Sequence, residues 1–244
     1  MSSVPRPVHR RHVAPRASSL WIAALVCMII VAAGVIVLAV SGVFDGSSSS
    51  TTVTGSGVAA SQARHVAAFT KLDLAGGNKV TVVIGSRQSV FVNGDDNLLR
   101  RVTTRVDGGR LVIETDGALT TRSPMSMAIT VPPLEAIVLS GSGTIVVQNI
   151  HSQRLTLRLS GSGVLRARGT VTRLDVSLSG SGDAQLGHLV AHDARAVVSG
   201  GGRILLTATH TLHAAVPGRG AIVYGGNPAQ VTRSITGTGA ITKR

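Results

Sequence analysis

From residue 137 onward, apolar residues fall at every second position for long stretches. Leu155, Leu157 and Leu159 alternate with Thr156 and Arg158, and Leu174, Val176 and Leu178 alternate with Asp175 and Ser177. Ala194, Ala196 and Val198 repeat the pattern, as do Leu212, Ala214 and Val216. Ile137 and Leu139 begin the series after Glu135, and Val231 and Ile235 end it around Arg233. A period of two puts one set of side chains on one face, which predicts half-buried β-strands.

Each run stops at a corner of small residues. The corner reads SGSG at Ser140–Gly143, Ser160–Gly163 and Ser179–Gly182, then SGGG at Ser199–Gly202, PGRG at Pro217–Gly220 and TGTG at Thr236–Gly239. Its first glycines are Gly141, Gly161, Gly180, Gly200, Gly218 and Gly237, a period of about nineteen residues. The second glycines, Gly143, Gly163, Gly182, Gly202, Gly220 and Gly239, keep the same step. An apolar residue follows each corner at a fixed place: Ile145, Leu165, Ala184, Ile204, Ile222, Ile241. Each copy therefore predicts strand, glycine corner, strand and a variable return loop. One such unit cannot bury its own apolar face, so neighbours must stack. The expected architecture is all-β, a parallel β-helix or solenoid of about 19-residue coils. The glycines serve either positive φ or close backbone approach.

Equivalent positions in successive coils become neighbours. This predicts two inter-coil pairs, Asp183 with Arg203 and Asp175 with Arg195. Exposed pairs of this kind contribute about 0–1 kcal/mol and read as register and solubility devices.

The first half alternates less regularly, in KVTVVIG (Lys79–Gly85), SVFVNG (Ser89–Gly94) and GRLVIET (Gly109–Thr115). Turn signals at Gly76-Gly77, Asn93–Asp96 and Asp107–Gly109 separate the runs. These predict opening coils continuous with the repeats.

Ahead of the β-rich part the pattern changes. Residues 20–40, LWIAALVCMIIVAAGVIVLAV, are apolar without a charge. A helix of that length spans about 32 Å, enough for a bilayer core of about 30 Å. Arg6, Arg10, Arg11 and Arg16 precede it and predict a cytoplasmic N-terminus. The organisation expected is a short basic cytoplasmic segment over 1–19, one transmembrane α-helix over 20–40, a Ser/Thr/Gly-rich linker over 41–64, and the β-helix over 65–244 outside the cytoplasm. The competing reading is a cleaved signal peptide ending near Ala39-Val40-Ser41. A lipoprotein fits less well, because Val26 before Cys27 is bulky. As the single cysteine, Cys27 cannot form an internal disulfide.

FTKLDLAGGNKVTVVIG (Phe69–Gly85), VNGDDNLLRRVTTRVDGGRLVIET (Val92–Thr115), the serial SGSG corners and YGGNP (Tyr224–Pro228) together resemble the auto-transporter adhesin head GIN domain, a bacterial domain of unknown function. The likeness covers about residues 65–242. It implies a right-handed winding, a bacterial source and a cell-envelope setting, and its name suggests adhesion. PGRG at the fifth corner departs from the pattern.

Candidate chemistry is sparse. Within the repeats no column sets two acids on adjacent coils, as a glycan-cleaving site would require. Asp95-Asp96 reads as a turn rather than a calcium site. His151, His188, His192, His210 and His213 read as solvated loop histidines. No cofactor, metal or catalytic residue is expected. Aromatics make up only 2% of the chain, which argues against sugar-stacking platforms. Past the apolar run, twenty Lys+Arg face eleven Asp+Glu, a net of +9. Such a surface can attract anionic envelope polymers or another anionic surface ligand. Nucleic acid carries the matching charge but is not expected at this topology. The expectation is a non-enzymatic, single-pass membrane protein of the cell envelope that acts in adhesion or polymer binding. The alternatives are a polysaccharide-active β-helix enzyme and an envelope sensor or scaffold acting through a partner. The pattern names no oligomeric state.

Overall fold

The computed structural model of the chain describes residues 52–244. The expected cytoplasmic segment 1–19, the apolar run 20–40 and the start of the linker lie outside these residues. Among the described residues no helix is long and apolar enough to cross a membrane.

In chain order the strands are β1 (Val53–Thr54), β2 (Ala59–Ala63), β3 (Lys71–Leu74), β4 (Lys79–Ile84), β5 (Ser89–Asp95), β6 (Val102–Asp107), β7 (Arg110–Thr115), β8 (Leu119–Thr120), β9 (Ser126–Val131), β10 (Ala136–Leu139), β11 (Thr144–Leu159), β12 (Val164–Leu178), β13 (Asp183–Val198), β14 (Arg203–Val216), β15 (Ala221–Gly225), β16 (Gln230–Ile235) and β17 (Ala240–Lys243). A single 3-10 turn, Leu99–Arg101, stands between β5 and β6.

The repeats pile up in parallel. Leu155 registers with Leu174, Leu174 with Ala194, and Ala194 with Leu212. After the corner, Ile145 registers with Leu165, then Ala184, Ile204, Ile222 and Ile241. All these residues are buried, so the interior is a narrow aliphatic column. From β12 onward the pre-corner row shrinks (Val176, Ala196, Ala214) while the post-corner row grows (Ala167, Leu186, Leu206, Tyr224). Opposed changes of this kind keep a core filled.

The glycine corners stack on one another. Each second glycine donates its N–H to the first glycine of the coil before, as in Gly182 to Gly161 (3.1 Å) and Gly202 to Gly180 (3.1 Å). A Cβ on Gly161, Gly180 or Gly200 would overlap the carbonyl oxygen of the corner glycine one coil away. None of the predicted corner glycines has positive φ. Close approach, not left-handed backbone, is what demands glycine there. The column begins one coil earlier than the SGSG pattern, because Gly143 donates to the Gly76 carbonyl (2.9 Å).

Three expectations need correction. First, the coils have no return loop: β11 to β14 each run unbroken from one corner to the next. Register shifts between Val147 and Ile150, Arg166 and Arg168, and Leu186 and Val190 turn the strand without breaking the ladder. Asn149 (φ 62°) and Gly169 (φ 136°) absorb part of that turn. Second, the opening coils are continuous with the repeats, as expected, but they do not follow chain order. β3 and β4 lie between β7 and β9 on one side and β10 and β11 on the other. Antiparallel strands finish that end: β6 on β7, β5 on β9, and β2 on β5. Third, the folded part begins before residue 65. β1 pairs with β8 and β2 with β5, so the linker expected over 41–64 is structured from Val53. Backbone pairing outweighs the flexible composition of that stretch.

At the other end, Arg233 stands in register with buried Ala214. Its guanidinium lies 5.2 Å from the centre of the Tyr224 ring and donates to the Tyr224 hydroxyl. Every residue of β16 is exposed. A polar, cationic cover over the Tyr224 ring suits the last coil of the described residues.

Candidate functional site

The outward positions of β11 to β14 carry the unusual chemistry. Among the described residues, the arginine ion pairs are Arg101–Asp116 (2.8 Å), Arg105–Glu114 (3.4 Å) and Arg110–Asp73 (3.3 Å), all at the antiparallel end. Arg154, Arg158, Arg166, Arg168, Arg173, Arg195 and Arg203 belong to the stacked coils, and none is in an ion pair with a described carboxylate. Arg154 and Arg173 are direct register partners, both exposed. Like charges directly opposite on adjacent strands are destabilising. Arg158, Asp175 and Arg195 line a shallow groove of about 300 Å³ with Thr156 and Ser177.

Both predicted inter-coil pairs lie in register, Asp183 opposite Arg203 and Asp175 opposite Arg195. Neither makes an ion pair among the described residues. Asp183 instead accepts from Gln185 (2.6 Å), whose amide oxygen takes the Arg166 guanidinium (2.8 Å). The corner glycines carry no ligand chemistry of their own; they let the strands stand close enough to align these columns.

At the bend opposite the corners, two successive residues face outward in each coil: Gln153 and Arg154, Thr172 and Arg173, His192 and Asp193, His210 and Thr211. In a straight strand one of each pair would point inward. The histidines are therefore strand residues at a bend, not loop residues. His192 and His210 stack with ring centres 4.5 Å apart and planes 20° from parallel. Asp193 faces both, with Oδ2 3.2 Å from His192 Nδ1 and Oδ1 3.0 Å from His210 Nδ1. The Thr211 hydroxyl donates to the same carboxylate at 2.6 Å. These hydrogen bonds, that of Thr211 foremost, hold the Asp193 carboxyl well below the usual range. His192 also lines an open groove of about 480 Å³ with His151, Gln153, Thr170, Thr172 and Thr209. Sequence reading missed this cluster. The available signal was His-Asp at 192–193 followed one coil later by His-Thr at 210–211.

The Asp95-Asp96 pair is structural. Asp95 is fully buried and accepts backbone N–H bonds from Gly57 (2.9 Å), Arg122 (2.8 Å) and Ser123 (3.1 Å). Asn97 donates to the Thr54 carbonyl (3.0 Å) and accepts from the Ser56 N–H (2.9 Å). The GDDN block thus clasps residues 54–58 against residues 122–123. Burial pushes the Asp95 carboxyl up, but the Arg122, Ser123 and Gly57 N–H groups outweigh it and leave it below the usual range. A carboxyl lowered by folding stabilises the native state above its unfolded value, and that contribution fades as pH falls through the folded value. The thermal midpoint is therefore expected to drop below about pH 4. Asp95→Asn should lower the midpoint at neutral pH, and its deficit against the parent should shrink at about pH 3. A deficit that stayed constant over that interval would contradict the clasp.

No curated protein matches the chain in sequence. Among solved structures, a protein described as "a putative adhesin" from Bacteroides fragilis NCTC 9343 shares 23% identity, with a TM-score of 0.66, covering 79% of this chain and 100% of that one. A "putative lipid binding protein" from Parabacteroides distasonis ATCC 8503 shares 19% identity, with a TM-score of 0.51, over 80% of this chain and 100% of that one. Another "putative adhesin", from Parabacteroides merdae ATCC 43184, shares 16% identity, with a TM-score of 0.51, over 79% and 99%. At these identities the likeness concerns the solenoid fold alone. The sequence itself goes further: residues 68–228 match the profile of the family described as "Putative auto-transporter adhesin, head GIN domain", and the chain belongs to that family.

Proposed function

We propose that the chain is a non-enzymatic binding module of the bacterial cell envelope, and that its stacked arginines engage anionic envelope polymers. In this reading residues 20–40 tether it to the membrane as a single pass, with the solenoid on the outer side. The winding is taken as right-handed, the sense of nearly all parallel crossovers.

The observation that carries the reading is the Arg154–Arg173 pair. Two exposed guanidiniums stand directly opposite each other, and although Asp193 is the register partner of Arg173 on its other side, neither arginine is in an ion pair with a described carboxylate. Adjacent strands are about 4.8 Å apart, so one phosphate or carboxylate could bridge both. Guanidinium suits such oxyanions, because its donors match their geometry in pairs. The family's adhesin description and the shared fold of proteins described as adhesin or lipid binding agree with a binding role.

The test is binding of the full chain to poly(glycerol phosphate), with neutral dextran as control. Affinity for the anionic polymer should fall steadily as salt rises from about 50 to about 300 mM. Replacing Arg154 and Arg173 with Gln should weaken binding about thirtyfold, at about 1 kcal/mol for each charge. Binding indifferent to both salt and substitution would sink the proposal. No register pair among the described strands joins two carboxylates, the arrangement a glycan-cleaving site would require.

A further inference from the structure

We propose that His192, Asp193 and His210 form a binding site for one divalent transition ion of the zinc class. The argument begins with the bend. It turns two consecutive residues of β13 outward and sets the next coil's histidine beside them. One ligand atom from each of the three residues lies within 4.8 Å of the others. The carboxylate-to-imidazole separations are 3.2 Å and 3.0 Å. Around a tetrahedral zinc with bonds of about 2.0–2.1 Å, neighbouring ligands stand about 3.3 Å apart. Small side-chain movements would therefore admit the ion.

The rings are also arranged alike. They stack nearly parallel and present the same nitrogen, Nδ1, to one carboxylate. Two neutral imidazoles can each donate Nδ1–H to one carboxylate oxygen; with the protons on Nε2 instead, the same geometry presents two nitrogen lone pairs and a carboxylate to one ion. A cation between them serves all three groups at once. The carboxylate has the outer support that metal ligands usually have: the Thr211 hydroxyl donates to Asp193 Oδ1 at 2.6 Å. Thr211 is thus a positioning residue.

The donor set selects the ion. Two imidazoles and one carboxylate suit zinc, nickel, copper or iron(II). Calcium takes six to eight oxygens and magnesium keeps most of its water, so neither fits. Three protein ligands leave a coordination position open. The histidine side chains are 54% exposed, so solvent or an anionic group can reach it. The proposal does not depend on polymer binding by the arginines.

The test is titration of the full chain with zinc alone, followed by calorimetry. One equivalent should bind. His192→Gln and His210→Gln should each weaken binding by more than about tenfold, the least that loss of even an outer partner usually costs. Thr211→Val should weaken it about tenfold. His188→Gln and His213→Gln should leave it unchanged, and circular dichroism should show every variant folded. Because a substitution at the bend can disturb it, the parent chain supplies a second readout: bound copper should show two nitrogen ligands by electron paramagnetic resonance. No stoichiometric zinc binding, equal affinity in the His192 and His210 variants, or equal loss in the His188 and His213 variants would each overturn the proposal.

Discussion

Gly180→Ala is expected to cost more than about 3 kcal/mol, the top of the usual range for overpacking, and to unfold the coils on either side. The added Cβ would overlap the carbonyl oxygens of Gly161 and Ser160 in the neighbouring coil. Those atoms are backbone, fixed by the hydrogen bond from Gly182 to Gly161 (3.1 Å), so no side-chain rotation relieves the clash. An internal control exists. Gly201 fills the position that is serine in the SGSG corners, and a Cβ there meets nothing within 4 Å. Gly201→Ala should change stability by less than about 0.5 kcal/mol, as ordinary surface substitutions do. Urea denaturation of the two variants measures the contrast. Equal effects would mean that the corners do not stack as described.

Leu157→Ala is expected to cost about 2–5 kcal/mol, the range for deleting a buried leucine side chain. Leu157 is fully buried, with Ile137 and Val176 as its register neighbours. The narrow column offers no second layer to collapse into the void. Coupling in a solenoid runs between neighbours. Amide exchange should therefore accelerate first in β10, β11 and β12, and least in β15 and β17. The reverse substitution, Ala196→Leu, should overpack the buried column between Val176 and Ala214 and cost about 1–3 kcal/mol. Uniform acceleration along the whole chain would argue against coil-by-coil coupling.

The two expectations have different origins. Leu157 is legible as core in the sequence, because its alternation with Thr156 and Arg158 can only bury one face. The corner glycines are legible as a period, but their reason is not. Positive φ and close approach are both ordinary uses of glycine, and only the stacked carbonyls decide between them. In the same way, His-Asp at 192–193 and His-Thr at 210–211 are legible as a pair one coil apart, but their common face is not. Alternation assigns His192 and Asp193 to opposite faces, and only the bend puts them on one.

The chain's periodicity by itself determined the solenoid, the parallel register of its coils, the buried columns and the Asp183–Arg203 and Asp175–Arg195 alignments. It could do so because a repeat of constant length carries the same inward position into every coil. The tertiary structure alone decided the order of the opening coils, the strands within the supposed linker, the Asp95 clasp and the outward cluster at the bend. The first three depend on contacts between segments with no common period, such as Gly57 with Asp95 and β3 with β10, and the cluster depends on the bend within the repeat. Local sequence patterns carry no record of which distant backbone group will satisfy a donor or an acceptor.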